Sequence, residues 1–176
     1  MVKLLVMHMD KVAKPGMSER VISIDCGTAI TGWAIIDKKG NILTHIASGA
    51  IQTSKNADMS LRLKSIFEEL VKLIEDYRPS TMAIEDLFYF KNQKTVISVS
   101  QARGVIILSG VTQGLKTYNY TPLQVKSAVT GYGRAEKDQV AFMVGKILKL
   151  KDLPKLDDIT DAIAVGICHL NSNYVR

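Results

Sequence analysis

The chain has 176 residues, of which 47% are hydrophobic and 23% charged, the proportions of an ordinary globular domain large enough to bury a core without disulfide support. Its two cysteines, Cys26 and Cys168, are too few for a disulfide framework and are expected as free thiols in a reducing compartment. No apolar run approaches the roughly 20 residues of a spanning helix, and the LLVM near the start is too short for a signal-peptide core, so a cytoplasmic protein with no membrane partner is expected.

Residues 1–16 precede a second methionine, Met17, and end in Pro15 and Gly16. They are read as an N-terminal extension, disordered or non-native and without assigned function, and 17–176 as a single domain. The apolar period is then near two over 21–25, 32–37 and 42–51, with Lys38, Lys39, Gly40 and Asn41 supplying a turn; this predicts three antiparallel strands. Met59, Leu63, Ile66, Phe67, Leu70 and Ile74 recur at helical spacing until Pro79 stops the helix. A strand at 81–85, an apolar helix over 95–113 and a strand at 116–120 follow. Thr121 and Pro122 then signal a helix start, threonine as cap and proline at the first helical position. A loop bounded by Gly131 and Gly133 leads to a helix over 136–150, and a last helix covers 157–170. The order describes an α/β fold, a mixed sheet of five strands (three antiparallel, then parallel) with helices on both faces.

The net charge of +6 is not evenly spread. Residues 1–90 carry 11 basic and 11 acidic side chains, 91–151 carry 10 and 2, and 152–176 carry 2 and 4. One basic stretch in a balanced domain fits a polyanionic partner, although a solvated helix surface also explains it.

Asp25 and Glu85 each close a β-rich run. If the two strands are neighbours, these acids share one small space, because adjacent strands lie about 4.8 Å apart. In DDITDAIAVGICHL, Asp158 and Asp161 are three residues apart on one helical face, opposite an apolar face of Ile159, Ala162, Ile163 and Ile167. Each acid has a plainer reading. Asp157 suits an N-cap, Asp158 a first-turn acid, and Asp25 and Glu85 strand-end contacts to loop amides; Asp86 should face solvent. Those readings do not explain four acids on three elements ending near one sheet edge. Clustered carboxylates need a cation, and all-oxygen ligands select Mg²⁺, with Mn²⁺ able to substitute. Two such ions about 3.5–4 Å apart activate water and stabilise the leaving oxygen of a phosphodiester. Metal-dependent phosphodiester hydrolysis is the expectation. A nucleic-acid-binding module without catalysis is the alternative, and an actin-like ATPase or sugar-kinase fragment, suggested by DCGT, lacks room for its second domain.

The segments IDCGTAITGWAIID, IEDLFYFKN, QARGVI, TPLQVKSAVTGYGRAEKDQV and DDITDAIAVGICH, in this order and spacing, resemble the bacterial RuvC Holliday-junction resolvases over about residues 21–169. TPLQVK and GYGRAEK are the most specific. The resemblance implies a ribonuclease-H-like fold and a homodimer that nicks two opposed strands of a four-way DNA junction, leaving ligatable 5′-phosphate and 3′-hydroxyl ends. It places the catalytic and metal-binding acids on Asp25, Glu85, Asp158 and Asp161. It also implies a thymine-containing cleavage sequence and RuvA and RuvB as partners. Two departures stand out: Cys26 where proline is usual after the first acid, and Ser23 where a strand glycine is common.

Phe88, in the aromatic cluster beside the acids, is expected to stack on an unpaired base, as its family equivalent does, or else to plug the core along with Phe90; Tyr89 is the substitute. Lys126 and Lys137 occupy the family's basic positions near the active site. Lys91, Lys94, Arg103 and Arg134 are further phosphate candidates, with plain solvation an equal reading for Lys94 and Arg103. His169, alone in an apolar helix, is left out of the catalytic set: a supporting role behind the acids is open to it, and a structural one is the commoner reading. The helix over 96–111 is apolar on more than one face, so one face needs a neighbour, either a second subunit or another helix.

Overall fold

In the computed structural model, which describes residues 3–8, 19–86 and 93–172, the period-two segments become the antiparallel half of one sheet. After β1 (Lys3–His8), these are β2 (Glu19–Asp25), β3 (Ile30–Lys39) and β4 (Ile42–Gln52). Gly40, at φ +59°, makes the left-handed turn between β3 and β4. α1 (Met59–Tyr77) crosses to β5 (Thr81–Glu85), and α2 (Gln93–Thr112) crosses to β6 (Lys116–Tyr120). α3 (Pro122–Thr130), α4 (Lys137–Leu148) and α5 (Asp157–Asn171) complete the chain. The strand order is β1-β4-β3-β2-β5-β6, with β2, β5 and β6 parallel. The five expected strands are thus joined by a sixth, Lys3–His8, which pairs with residues 47–52 of β4 and covers most of an otherwise open sheet edge.

Side-chain alternation divides the core into two layers. Ile22, Ile24, Trp33, Ile35 and Ile84 pack on α1 and α2 through Ile66, Leu70, Ala102 and Ile106. Val21, Ala34, Ile36 and Ala83 face α3, α4 and α5 through Val125, Val144, Ile163 and Ile167. α5 lies directly on the sheet because Gly166 has no side chain: a Cβ there would come within 2.7 Å of Ser23 Oγ and 2.8 Å of Ile36 Cδ1. Ser23 is fully buried, and its hydroxyl donates to Ala34 O at 3.3 Å. The polar residue in the strand is therefore satisfied, and the glycine that makes room for it stands on the helix.

α1 stops before Pro79, as expected, with its C-cap at Arg78 in the left-handed region (φ 50°), whose N–H bonds Ile74 O. One helix start differs from the sequence expectation. The N-cap of α5 is Leu156, and Asp157 is the first helical residue. Asp157 does not cap the helix; its carboxylate instead lies 3.5 Å from Lys137 Nζ. His169 is held by side chains of the neighbouring strands. It is fully buried, with Nδ1 2.8 Å from Tyr120 Oη and Nε2 3.0 Å from Thr81 Oγ1, tying α5 to β6 and β5.

The end of the sheet opposite Asp25 is locked by a buried ion pair. Arg20 donates Nε to Asp37 Oδ1 at 2.6 Å and Nη2 to Asp37 Oδ2 at 2.8 Å, and its Nη1 reaches Tyr77 O at 2.7 Å. The Asp37 side chain is only 8% exposed, so removing its partner strands a charge away from water. Arg20→Ala is expected to destabilise the fold by about 3–5 kcal/mol in denaturant titrations, more than Arg20→Ala combined with Asp37→Ala.

Candidate active site

Because β2 and β5 are parallel neighbours with Ile24 opposite Ile84, their next residues, Asp25 and Glu85, emerge side by side. The turn after Asp25 is braced by Thr31 Oγ1, which donates to Gly27 O at 2.6 Å, and by Thr53, which bonds Thr28 O and Ala29 O. Opposite Asp25 in β3 stands Gly32. A Cβ on Gly32 would lie 1.9 Å from Asp158 O, so this glycine is what lets the first turn of α5 settle against the strand beside Asp25. The helix then presents Asp158 and Asp161 to the same space, and both charges act on Asp25.

The energetics are those of crowded carboxylates. Burial pushes Asp25 well above the ordinary carboxylate range, and Glu85, Asp161 and Asp158 push it further. Glu85 is raised by burial and by Asp161, against the pull of Lys137 and Lys126. Asp161 is raised by burial and drawn back by Lys137, whose Nζ lies 3.5 Å from Asp161 Oδ2. The two neighbouring carboxyls titrate as one pair that favours retaining a proton, because burial and mutual repulsion disfavour two ionised groups there.

Four oxygen-donor acids suit a hard divalent cation. The one nearby thiol does not compete: burial pushes Cys26 up to about 12 despite the pull of Arg103, so it stays protonated. Among the described residues no three acids, cysteines or histidines already stand as the ligand shell of one ion. A cation held by these acids would require loss of the proton that burial and mutual repulsion favour on the Asp25–Glu85 pair.

The flanking cations divide in two. Lys126 donates Nζ to Ala135 O at 2.6 Å while its charge reaches Glu85, and Lys137 bridges Asp157 and Asp161. Arg134 is exposed on the loop before α4. Phe88, Tyr89, Phe90 and Lys91, and the side chain of Lys94, lie outside the described residues. Arg103 is a different case from the phosphate contact or solvated side chain expected of it. Its Nη1 donates to Glu85 O at 2.7 Å, and its Nη2 to Asp86 Oδ1 at 2.6 Å and Asn119 Oδ1 at 2.7 Å. Asp86 is thus paired rather than free in solvent. The guanidinium fork clamps the strand end that carries Glu85, a role with no signal in the sequence beyond an arginine at the right helical phase.

A mixed sheet with acids at the ends of its central parallel strands and on the helix laid across them defines a ribonuclease-H-like protein. The profile of the family described as Crossover junction endodeoxyribonuclease RuvC matches residues 21–169. Relatives bearing that description are 52% identical over 153 residues in Fusobacterium nucleatum subsp. nucleatum, covering 87% of this chain and 80% of that protein. In Caldanaerobacter subterraneus subsp. tengcongensis the identity is 50% over 154 residues, covering 88% and 93%. Among solved structures, Thermus thermophilus RuvC in complex with Holliday junction substrate superposes with a TM-score of 0.83 at 29% identity, over 86% of this chain and 93% of that one. The chain belongs to the RuvC family of crossover junction endodeoxyribonucleases.

A carboxyl whose pKa is raised on folding contributes stability that is present below its unfolded value and lost as pH rises through the folded one. In metal-free buffer at pH 8, Asp25→Asn is therefore expected to melt higher than the native protein, by roughly 2–4 °C for each kcal/mol of repulsion removed. The difference should shrink as the pH is lowered toward 5, read by calorimetry.

Proposed function

We propose that Asp25, Glu85, Asp158 and Asp161 are the catalytic and metal-binding residues with which this chain resolves four-way DNA junctions. The observation that supports the reading most directly is the mutual electrostatic pressure of these carboxylates at one sheet end, in a chain of this family. Bound Mg²⁺, two ions per site with Mn²⁺ able to substitute, supplies polarisation of the phosphodiester and activation of the attacking water. The chain's own residues do the rest. Asp25 and Glu85 release the proton they hold between them, Arg103 keeps the Glu85 strand end in place, and Lys126, Lys137 and Arg134 meet phosphates on either side. Phe88 is assigned the base-stacking role and Lys91 a phosphate contact. Water adds across the P–O3′ bond, its hydroxyl to phosphorus and its proton to the 3′ oxygen, leaving 5′-phosphate and 3′-hydroxyl nicks.

Symmetric cutting of two strands needs two sites. On α2, Val99, Ala102, Ile106 and Ser109 are buried, while Ile97, Leu108 and Val111 are exposed together with Gly104. Positions 97, 104, 108 and 111 follow heptad spacing, a seam for a second copy of the helix. A homodimer built on it presents two sites to a two-fold-symmetric junction, working in the cytoplasm alongside RuvA and RuvB. No described helix is long and apolar enough to cross a membrane.

With a synthetic four-way junction and Mg²⁺, Asp25→Asn and Asp161→Asn are expected to bind with near-native affinity and to cut on the order of 10²–10³-fold more slowly or less. A native protein that binds without cutting would support the non-catalytic alternative, and an Asp25→Asn variant that cuts at the native rate would remove that residue from the site. Leu108→Lys should shift the protein to monomer in light scattering and uncouple the two nicks. Mg²⁺ titrated calorimetrically at pH 7 in buffers of different ionisation enthalpy should release protons, with affinity rising with pH.

A further inference from the structure

The segment between α3 and α4 leaves two aromatic rings in solvent. Tyr132 is 60% and Phe142 58% exposed, and both line one cleft of about 440 Å³ with Ala135, Met143, Asp138 and Gln139. Scattered apolar side chains are ordinary on a surface; two rings sharing a cleft form a contact surface. The cleft is also rigidly built. Tyr132 N donates to Thr130 Oγ1 at 3.1 Å, Thr130 Oγ1 donates to Lys126 O at 2.8 Å, and Lys126 Nζ donates to Ala135 O at 2.6 Å. Glu136 and Gln139 close a capping box at the start of α4.

These anchors run straight to the carboxylates. Lys126, which holds the loop at Ala135, and Lys137, which precedes Asp138, are the two cations acting on Glu85. Cations are also near: Arg134, two residues along the chain from Tyr132, is exposed, and Lys146 Nζ stands 5.3 Å from the centroid of the Phe142 ring. The surroundings thus suit a chain of phosphates, while the cleft itself suits a flat apolar ring with polar edges. The Asp138 carboxylate within it disfavours a phosphate but accepts a hydrogen bond from an exocyclic amine, and Gln139 offers both donor and acceptor.

We propose that this cleft is a nucleoside subsite, in which the base of a nucleotide flanking the cleaved phosphodiester stacks on Tyr132 and Phe142. It rests on the nuclease reading above. Stacking on aromatic side chains is sequence-tolerant and adds affinity independently of charge.

The test uses the full-length chain, four-way junctions carrying single abasic nucleotides stepped through the few positions either side of each nick, and both binding and cleavage as readouts. For the native protein, one abasic position should weaken binding about 5- to 100-fold. Tyr132→Ala and Phe142→Ala should lose a similar factor on the intact junction and become indifferent to that position. Their salt dependence should stay native, whereas Lys126→Ala lowers the slope by about one. The subsite is overturned if the alanine variants bind and cut as the native does, if they keep the native abasic profile, or if Tyr132→Leu restores full binding, which would show an apolar contact with no need of a ring. A weakening of binding to RuvA or RuvB by the alanine variants with DNA binding intact would likewise overturn it, in favour of a protein partner. Should the native protein bind junctions without cutting, the nuclease reading fails and the binding scan alone decides the subsite.

Discussion

Four carboxylates held at one end of one sheet repel each other, and much of the local structure exists to keep them there. Gly32 admits the first turn of α5 to within backbone contact of β3, directly opposite Asp25. Arg103 fixes the end of β5 from the other side through the Glu85 carbonyl and Asp86. Lys137 and Lys126 supply positive charge without cancelling it. The residual pressure is visible as carboxyls that hold protons far above their usual range. Such a site stores unfavourable energy that a divalent cation would relieve, which is the physical link between the fold's organisation and the proposed chemistry.

The two unusual residues near the acids are accommodated by their partners. Cys26 stands where the family resemblance implies a proline, yet the turn is held by the Thr31 and Thr53 hydrogen bonds, and the half-buried thiol lies near Arg103 as an uncharged side chain. Ser23 adds a hydroxyl to the strand, and Gly166 gives it space. In both places a local change is absorbed by an element distant in sequence, which leaves the carboxylate positions intact.

Charge is divided in the same way. The balanced N-terminal half builds the first five strands and locks their far end with the Arg20–Asp37 pair, and the basic stretch over 91–151 supplies Lys126 and Lys137, the cations that act on Glu85. The loop over 131–135 belongs to both, since Lys126 holds it through a backbone carbonyl while remaining within electrostatic reach of Glu85. The loop proposed to meet phosphates is thereby mechanically joined to the groups proposed to cleave them.

The sequence by itself determined the element types from residue 19 onward, the antiparallel-then-parallel order and the placing of Asp25 and Glu85 at strand ends, because period-two and helical spacing, caps and strand-end carboxylates are local signals. It also determined the family, through motifs spread over residues 21–169. Only the tertiary structure decided what long-range packing controls. It added Lys3–His8 to the free edge of β4, turned Asp157 from a cap into a partner of Lys137, and converted Arg103 from a candidate DNA contact into the clamp on Glu85. An arginine's helical phase says which way it points, but what it meets depends on how closely a strand end from elsewhere in the chain approaches, and that distance is set by packing rather than by neighbours in sequence.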